Sequence, residues 1–131
     1  MSITTTTFVM FRIPYPRSDK ERKRWNREYG LNAYYAGKHW SKRKDDAALW
    51  HALTRSALSR QGLTKARVQG PVQIVYRWND GLDIENHAAM GKMITDAMKG
   101  ILFPDDNRRW VQRVVHEFHD EDYIEVEVLT L

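Results

Sequence analysis

The 131-residue chain has no cysteine, which rules out disulfide staples and thiolate zinc sites and suits a reducing compartment. It has no apolar run near the ~20 residues that cross a bilayer. Its N-terminus lacks the basic-then-apolar layout of a secretory signal, so a cytoplasmic location is expected. Its seven glycines are nowhere gathered into a phosphate-cradling loop. His116-Glu117-Phe118-His119 is too closely spaced for the helical HExxH zinc motif and reads as strand. No Ser/His/Asp arrangement stands out. Low-complexity tracts, internal repeats and linkers are also missing, and the length fits one domain spanning residues 1–131.

Charge, by contrast, is abundant and unevenly placed. Residues 1–79 carry 16 Lys/Arg against 5 Asp/Glu, and residues 80–131 carry 5 against 12. A basic half joined to an acidic half suggests a surface that attracts polyanion and a separate pocket that gathers cations. The plainer alternative is two halves that neutralise each other within one domain.

Hydrophobic periodicity supplies the elements. Thr6–Ile13 is apolar on both faces over Phe8–Phe11, which reads as a central strand, ended by Pro14 and Pro16. Residues 17–41 look irregular. Arg17, Lys20, Arg22, Lys23, Arg24 and Arg27 surround Trp25, and Asn32, Tyr34, Tyr35, Lys38 and Trp40 follow. Basic groups neutralise phosphates and aromatics stack on unpaired bases, so this stretch is the expected nucleic-acid contact. A solvated loop is the alternative. Ser41 is the expected cap of a helix to about Arg60, with Ala47, Trp50, Leu53, Ala57 and Leu58 as its buried stripe. Lys42 and Arg43 lie in its first turn. Val72–Trp78 alternates as a strand, and Asn79-Asp80-Gly81 is turn chemistry. Met90, Met93, Ile94, Ala97, Met98 and Ile101 form a second helical stripe, with Gly100 at the expected C-terminal cap. Residues 110–118 and 123–129 read as two strands joined by a polar turn. The order is β-α-β-α-β-β, an α+β domain with two main helices packed on a mixed sheet.

Between the turn and the next-to-last strand lies Asp83–Asp106, the stretch richest in chemistry. In an extended segment Asp83 and Glu85 share a face, making a hard oxygen site suited to Mg²⁺ or Mn²⁺. Asp105-Asp106 is a second acidic pair, which helix packing could bring to the first. Lys92 faces away from the apolar stripe, where it would stabilise charge developing on a phosphate, or simply pair with Asp96 at i,i+4. A well-capped surface helix followed by an acidic turn is the plainer reading. Pro104-Asp105 looks like the start of a PD-(D/E)xK nuclease motif, but that motif needs a later lysine and Lys99 is the last.

Asp83-Ile84-Glu85-Asn86, then Lys92, Asp96-Ala97-Met98-Lys99-Gly100 and Pro104-Asp105-Asp106, resemble the RusA family of Holliday-junction resolvases. That family shows Asp-x-Asp-Asn, a helical lysine, Asp-Ala-Leu with a nearby glycine, then Asp-Asp before a strand. Asn32 with Tyr34-Tyr35 and a following basic helix are also similar. Two departures stand out: Glu85 replaces the second Asp, and Asn86 to Lys92 spans three extra residues. The resemblance implies a RusA-like fold and a homodimer that cuts four-way or related branched DNA with Mg²⁺ (or Mn²⁺) and no small-molecule cofactor. It implies Asp83, Glu85 and Asp106 at the metal, Asp105 as helper or substitute, and Lys92 at the phosphate. Arg22, Lys23, Arg24, Asn32, Lys38, Lys42 and Arg43 are the expected DNA contacts. It also implies a phage or prophage origin in a bacterial cell. A protein that binds junctions or duplex without cutting them, and an acidic interaction module that ignores nucleic acid, are the competing expectations.

Overall fold

The computed structural model describes residues 5–131. The chain runs β1 (Thr6–Pro14), α1 (Asp19–Tyr29), α2 (Leu31–Tyr35), α3 (Trp40–Arg60) and β2 (Val72–Trp78). A 3₁₀ turn (Ile84–His87) then leads into α4 (Ala88–Met98), β3 (Val111–Phe118) and β4 (Tyr123–Thr130). The fold is α+β, with one four-stranded mixed sheet in the order β1-β4-β2-β3. β4 is antiparallel to both β1 and β2, whereas β3 is parallel to β2. A parallel pair needs a crossover, and α4 with its 3₁₀ turn is that crossover. Among the described residues no helix is long and apolar enough to cross a membrane.

Alternation decides what each strand buries. Val9, Phe11 and Ile13 of β1 and Ile124, Val126 and Val128 of β4 point into the core, together with Ile74, Tyr76 and Trp78 of β2. The helices cover that face, with α3 lying against β1 and α4. The other face is mixed, with Val75 and Met10 beside an ion-pair cluster in which Arg77 holds Glu117, Glu125 and Glu127, each at 2.7 Å. α4 buries Met90, Ile94, Ala97 and Met98 completely, about 1.5–3 kcal/mol for each of the larger side chains. It ends at Gly100, whose φ of +82° is one that a side chain would strain.

Four features depart from expectation. β1 is an edge strand, not a central one, and Met10 on its outer face is 49% exposed. The two C-terminal strands expected from sequence are both present, but they are not neighbours in the sheet, because β2 lies between β3 and β4, an order the sequence did not specify. Residues 17–41 are mostly helical. Ser18 caps α1 by accepting a hydrogen bond from Glu21 N at 3.1 Å, and Arg24 pairs with Glu28 one turn on at 2.9 Å. Only Trp25 and Tyr29 of α1 are buried, an apolar stripe too narrow to register as a helix period. Finally, α3 is capped by His39, which accepts from Ser41 N, and Ala47 is exposed while Asp46 and Thr54 are buried.

Candidate active site

A cleft of ≈ 350 Å³ lies between α4 and β3, lined by Gly91, Lys92, Thr95, Asp106, Val114 and His116, among others. Helical period sets one wall. Gly91 and Thr95 are buried one turn apart, and Thr95 Oγ1 donates to the Gly91 carbonyl at 2.9 Å while bonding Tyr76 Oη at 2.5 Å. Lys92 stands beside them, 72% exposed, with Nζ 3.3 Å from Asp96 Oδ1. This is the i,i+4 pair its spacing allows, worth a few tenths of a kcal/mol.

The turn after α4 delivers two aspartates with different fates. Asp105 accepts from Asp106 N at 2.8 Å and Asn107 Nδ2 at 3.1 Å, and Lys99 Nζ lies 3.3 Å away. The backbone donor and Lys99 hold its carboxyl below the ordinary range, so Asp105 is committed to shaping the turn. Asp106 moves the other way. Lost solvent, and then the neighbouring Asp96 and Asp105 carboxyls, push it above the ordinary range. Two carboxylates so placed are relieved by a shared proton or by a cation. Asp106 lines the cleft, and with its neighbour Asp96 it offers hard oxygens. A hydrated divalent cation such as Mg²⁺ suits donors of this kind.

It does not fit the ligand set expected from sequence. Among the described residues no three His, Cys, Asp or Glu side chains form a metal-binding cluster. Asp83, Glu85, Asp105 and Asp106 are therefore not gathered around one point within the chain. The physical reason lies before α4. The segment is not extended at Glu85: Asp83 is the extended N-cap of the 3₁₀ turn and Glu85 sits inside that turn. Both side chains are exposed and take no part in the ion pairs found among the described residues.

What the sequence did not reveal is the polar network behind the cleft. Asp80, read only as turn chemistry, accepts from Tyr15 Oη at 3.0 Å and from Leu82 N at 3.0 Å, and faces His87 Nε2 at 2.8 Å. His87 is fully buried, with Nδ1 2.9 Å from the Ile84 carbonyl. A carbonyl only accepts, so Nδ1 carries hydrogen, and Nε2 faces the Asp80 carboxylate. This buried pair fixes the 3₁₀ turn that carries Asp83 and Glu85. Its ring stacks on Trp78 at 4.5 Å, and Trp78 also contacts His116. Asp80 precedes His87 by seven residues across a turn, a spacing with no sequence signature.

The expected DNA contacts divide. Lys23, Arg24, Asn32, Lys42 and Arg43 are exposed, and Arg43 donates to the Tyr34 carbonyl at 3.1 Å. Arg22 is bonded to the Pro16 carbonyl at 2.8 Å and to Asp122. Lys38 is not free for phosphate, since it is paired with Asp46 in a site where the two side chains are 13% and 9% exposed. The aromatics divide too. Trp25 and Tyr29 pack with Tyr15 and Trp50 in the core, whereas Tyr35 and Trp40 are 80% and 70% exposed. Only the latter two are available to stack on bases. No protein-family model matches the chain, and no curated protein is significantly similar to it.

Proposed function

We propose that the chain is a divalent-cation-dependent endonuclease for branched DNA, built on a RusA-like fold and working as a homodimer. The observation that carries this reading is the placing of Asp106 and Lys92 in one cleft, with the Asp106 carboxyl raised by lost solvent and by the neighbouring Asp96 and Asp105 carboxyls. Asp106, with Asp96 beside it, would hold Mg²⁺, while Asp83 and Glu85, the further acids the resemblance implies, stand apart from it within the chain. Bound there, the cation supplies Lewis acidity toward water and a phosphoryl oxygen.

The chain's own groups do the rest. Lys92 exchanges a weak surface partner for a phosphate oxygen, at little cost because its ammonium is already largely in water. Asp105 anchors Lys99 and the turn, which keeps Asp106 against Asp96. Lys23, Arg24, Lys42 and Arg43 neutralise backbone phosphates away from the cut, and Tyr35 and Trp40 stack on bases unpaired at a branch. A two-fold dimer presents two such clefts to two strands.

The test compares cleavage of a mobile four-way junction with matched linear duplex, with and without Mg²⁺. Junction-selective cleavage that needs the cation is expected, and Asp83→Asn should abolish it while sparing junction affinity. Full cleavage by Asp83→Asn would remove that residue from the metal site. A second reading, junction binding without chemistry, draws on the dispersal of Asp83 and Glu85 from Asp106. Tight junction binding with no cutting in Mg²⁺ or Mn²⁺ would select it.

A further inference from the structure

His116 lies on β3 opposite Tyr76 of β2 and faces α4. Its ring stacks on Tyr76 at 5.4 Å and 18°. A side chain at Gly91 would put its Cβ 2.8 Å from His116 Cε1, so the helix approaches this ring only because residue 91 is glycine. On the remaining side Trp78 Nε1 donates to His116 Nδ1 at 3.0 Å.

That last contact settles the tautomer. An indole N–H can only donate, so Nδ1 must offer its lone pair. A neutral imidazole has one N–H, which therefore sits on Nε2. Adding a proton to Nδ1 would set two N–H groups against each other, and burial, with His87 nearby, already holds this imidazole below its ordinary range. Nε2 forms no hydrogen bond to any described residue and is not sealed from solvent. The residue is thus a rigid donor in the cleft that holds Lys92 and Asp106. A metal would need the Nε2 lone pair, which this tautomer does not have.

We propose that His116 Nε2–H is a fixed hydrogen-bond donor to a phosphate oxygen in the α4–β3 cleft, and that Trp78 bars it from serving as a metal ligand or general base. The phosphodiester it would meet rests on the nuclease reading; the donor itself does not. Lys92 supplies mobile charge from one wall, and His116 supplies direction from the other.

The experiment has two arms on the full chain. The first labels histidine with ¹⁵N and reads the His116 ring by long-range ¹H–¹⁵N correlation at neutral pH. Inorganic phosphate is added in one series, and a synthetic four-way junction with Ca²⁺ in another. An Nε2–H tautomer whose resonance moves on adding either ligand is expected. An Nδ1–H tautomer, an imidazolium, or an Nε2–H signal indifferent to both would overturn the proposal. The second arm measures junction cleavage and affinity for His116→Leu and His116→Gln, since glutamine can place an N–H near the position of Nε2. Loss of turnover on the order of 10²-fold in the leucine variant, the worth of one oriented donor, is expected with affinity changed less than about threefold. The glutamine variant should recover most of that loss, and equal failure of the two would sink the donor role. If the wild type cuts nothing while phosphate still moves the His116 signal, the nuclease reading fails and the donor stands.

Discussion

Lys38→Met should cost the fold about 3 kcal/mol and leave DNA affinity of the folded protein unchanged. Lys38 Nζ donates to the Glu28 carbonyl at 2.7 Å, contacts Asp46, and lies 5.3 Å and 5.0 Å from the centres of the Tyr29 and Tyr34 rings. Tyr34 Oη donates to the same Asp46 carboxylate at 2.8 Å. Removing the ammonium leaves Asp46 almost buried with one neutral donor, and leaves a carbonyl short of its partner. Breaking a fully buried pair costs about 3–5 kcal/mol; the residual exposure of both side chains places this one at the lower end. For a domain of this size that is a large share of the roughly 5–15 kcal/mol total, and at about 4 °C per kcal/mol it lowers Tm by about 12 °C. Urea denaturation is the assay, with the midpoint expected to fall at unchanged slope. Adding Asp46→Leu to Lys38→Met should restore at least half of the loss, because the stranded charge goes too. A single variant within about 1 kcal/mol of wild type but weakened for junctions would refute the structural role of the Lys38–Asp46 pair and return Lys38 to the proposed DNA contacts.

Asp106→Asn should stabilise the protein by on the order of 1 kcal/mol, the scale of one relieved like-charge contact near water, while abolishing Mg²⁺-dependent cleavage. The sign follows from Asp106 being raised: its contribution is present at acid pH and lost as pH rises through its folded value, so the variant should lack that slope. Thermal melts from pH 4 to 8, with and without Mg²⁺, check both points, and an Mg²⁺-dependent rise in Tm retained by the variant would count against the Asp96–Asp106 site. Asp80→Ala strands buried His87 and should cost about 3 kcal/mol, with increased proteolysis in the 3₁₀ turn as the reporter. Gly91→Ala should cost about 1–3 kcal/mol through overpacking and change Trp78 fluorescence as His116 is displaced.

Long periodic segments were legible in the sequence. β2, α4, β4 and the length of α3 follow from spacing, and Gly62 and Gly100 lie just past helix ends with positive φ. α1 was hidden because two buried aromatics among eleven mostly charged residues make a weak stripe. The strand order was hidden because adjacency in sequence favours pairing, whereas here β2 intervenes between β3 and β4. At the site, Lys92, Asp105 and Asp106 were legible as an acidic stretch with one helical lysine. The influence on Asp106 was not: spacing offers Asp96 as a partner for Lys92 and the resemblance places it in a motif, whereas in the fold it pairs with Lys92 and also raises the Asp106 carboxyl. His116 and Asp80 were invisible as functional groups, since their significance comes from Trp78 and His87, which lie far away or across a turn.

β1 pairs with β4, and across that pairing the Thr7 hydroxyl donates to the Glu127 carboxylate 120 positions later. During synthesis at about 5–20 residues per second, the first strand waits roughly 6–24 s for the neighbour that covers its edge. Until then Phe8, Val9 and Phe11 form an apolar ribbon with open backbone groups, a template for pairing with another nascent copy. The sheet therefore closes only after nearly all the described chain has emerged. Yield on refolding should fall with protein concentration more steeply than its modest size suggests.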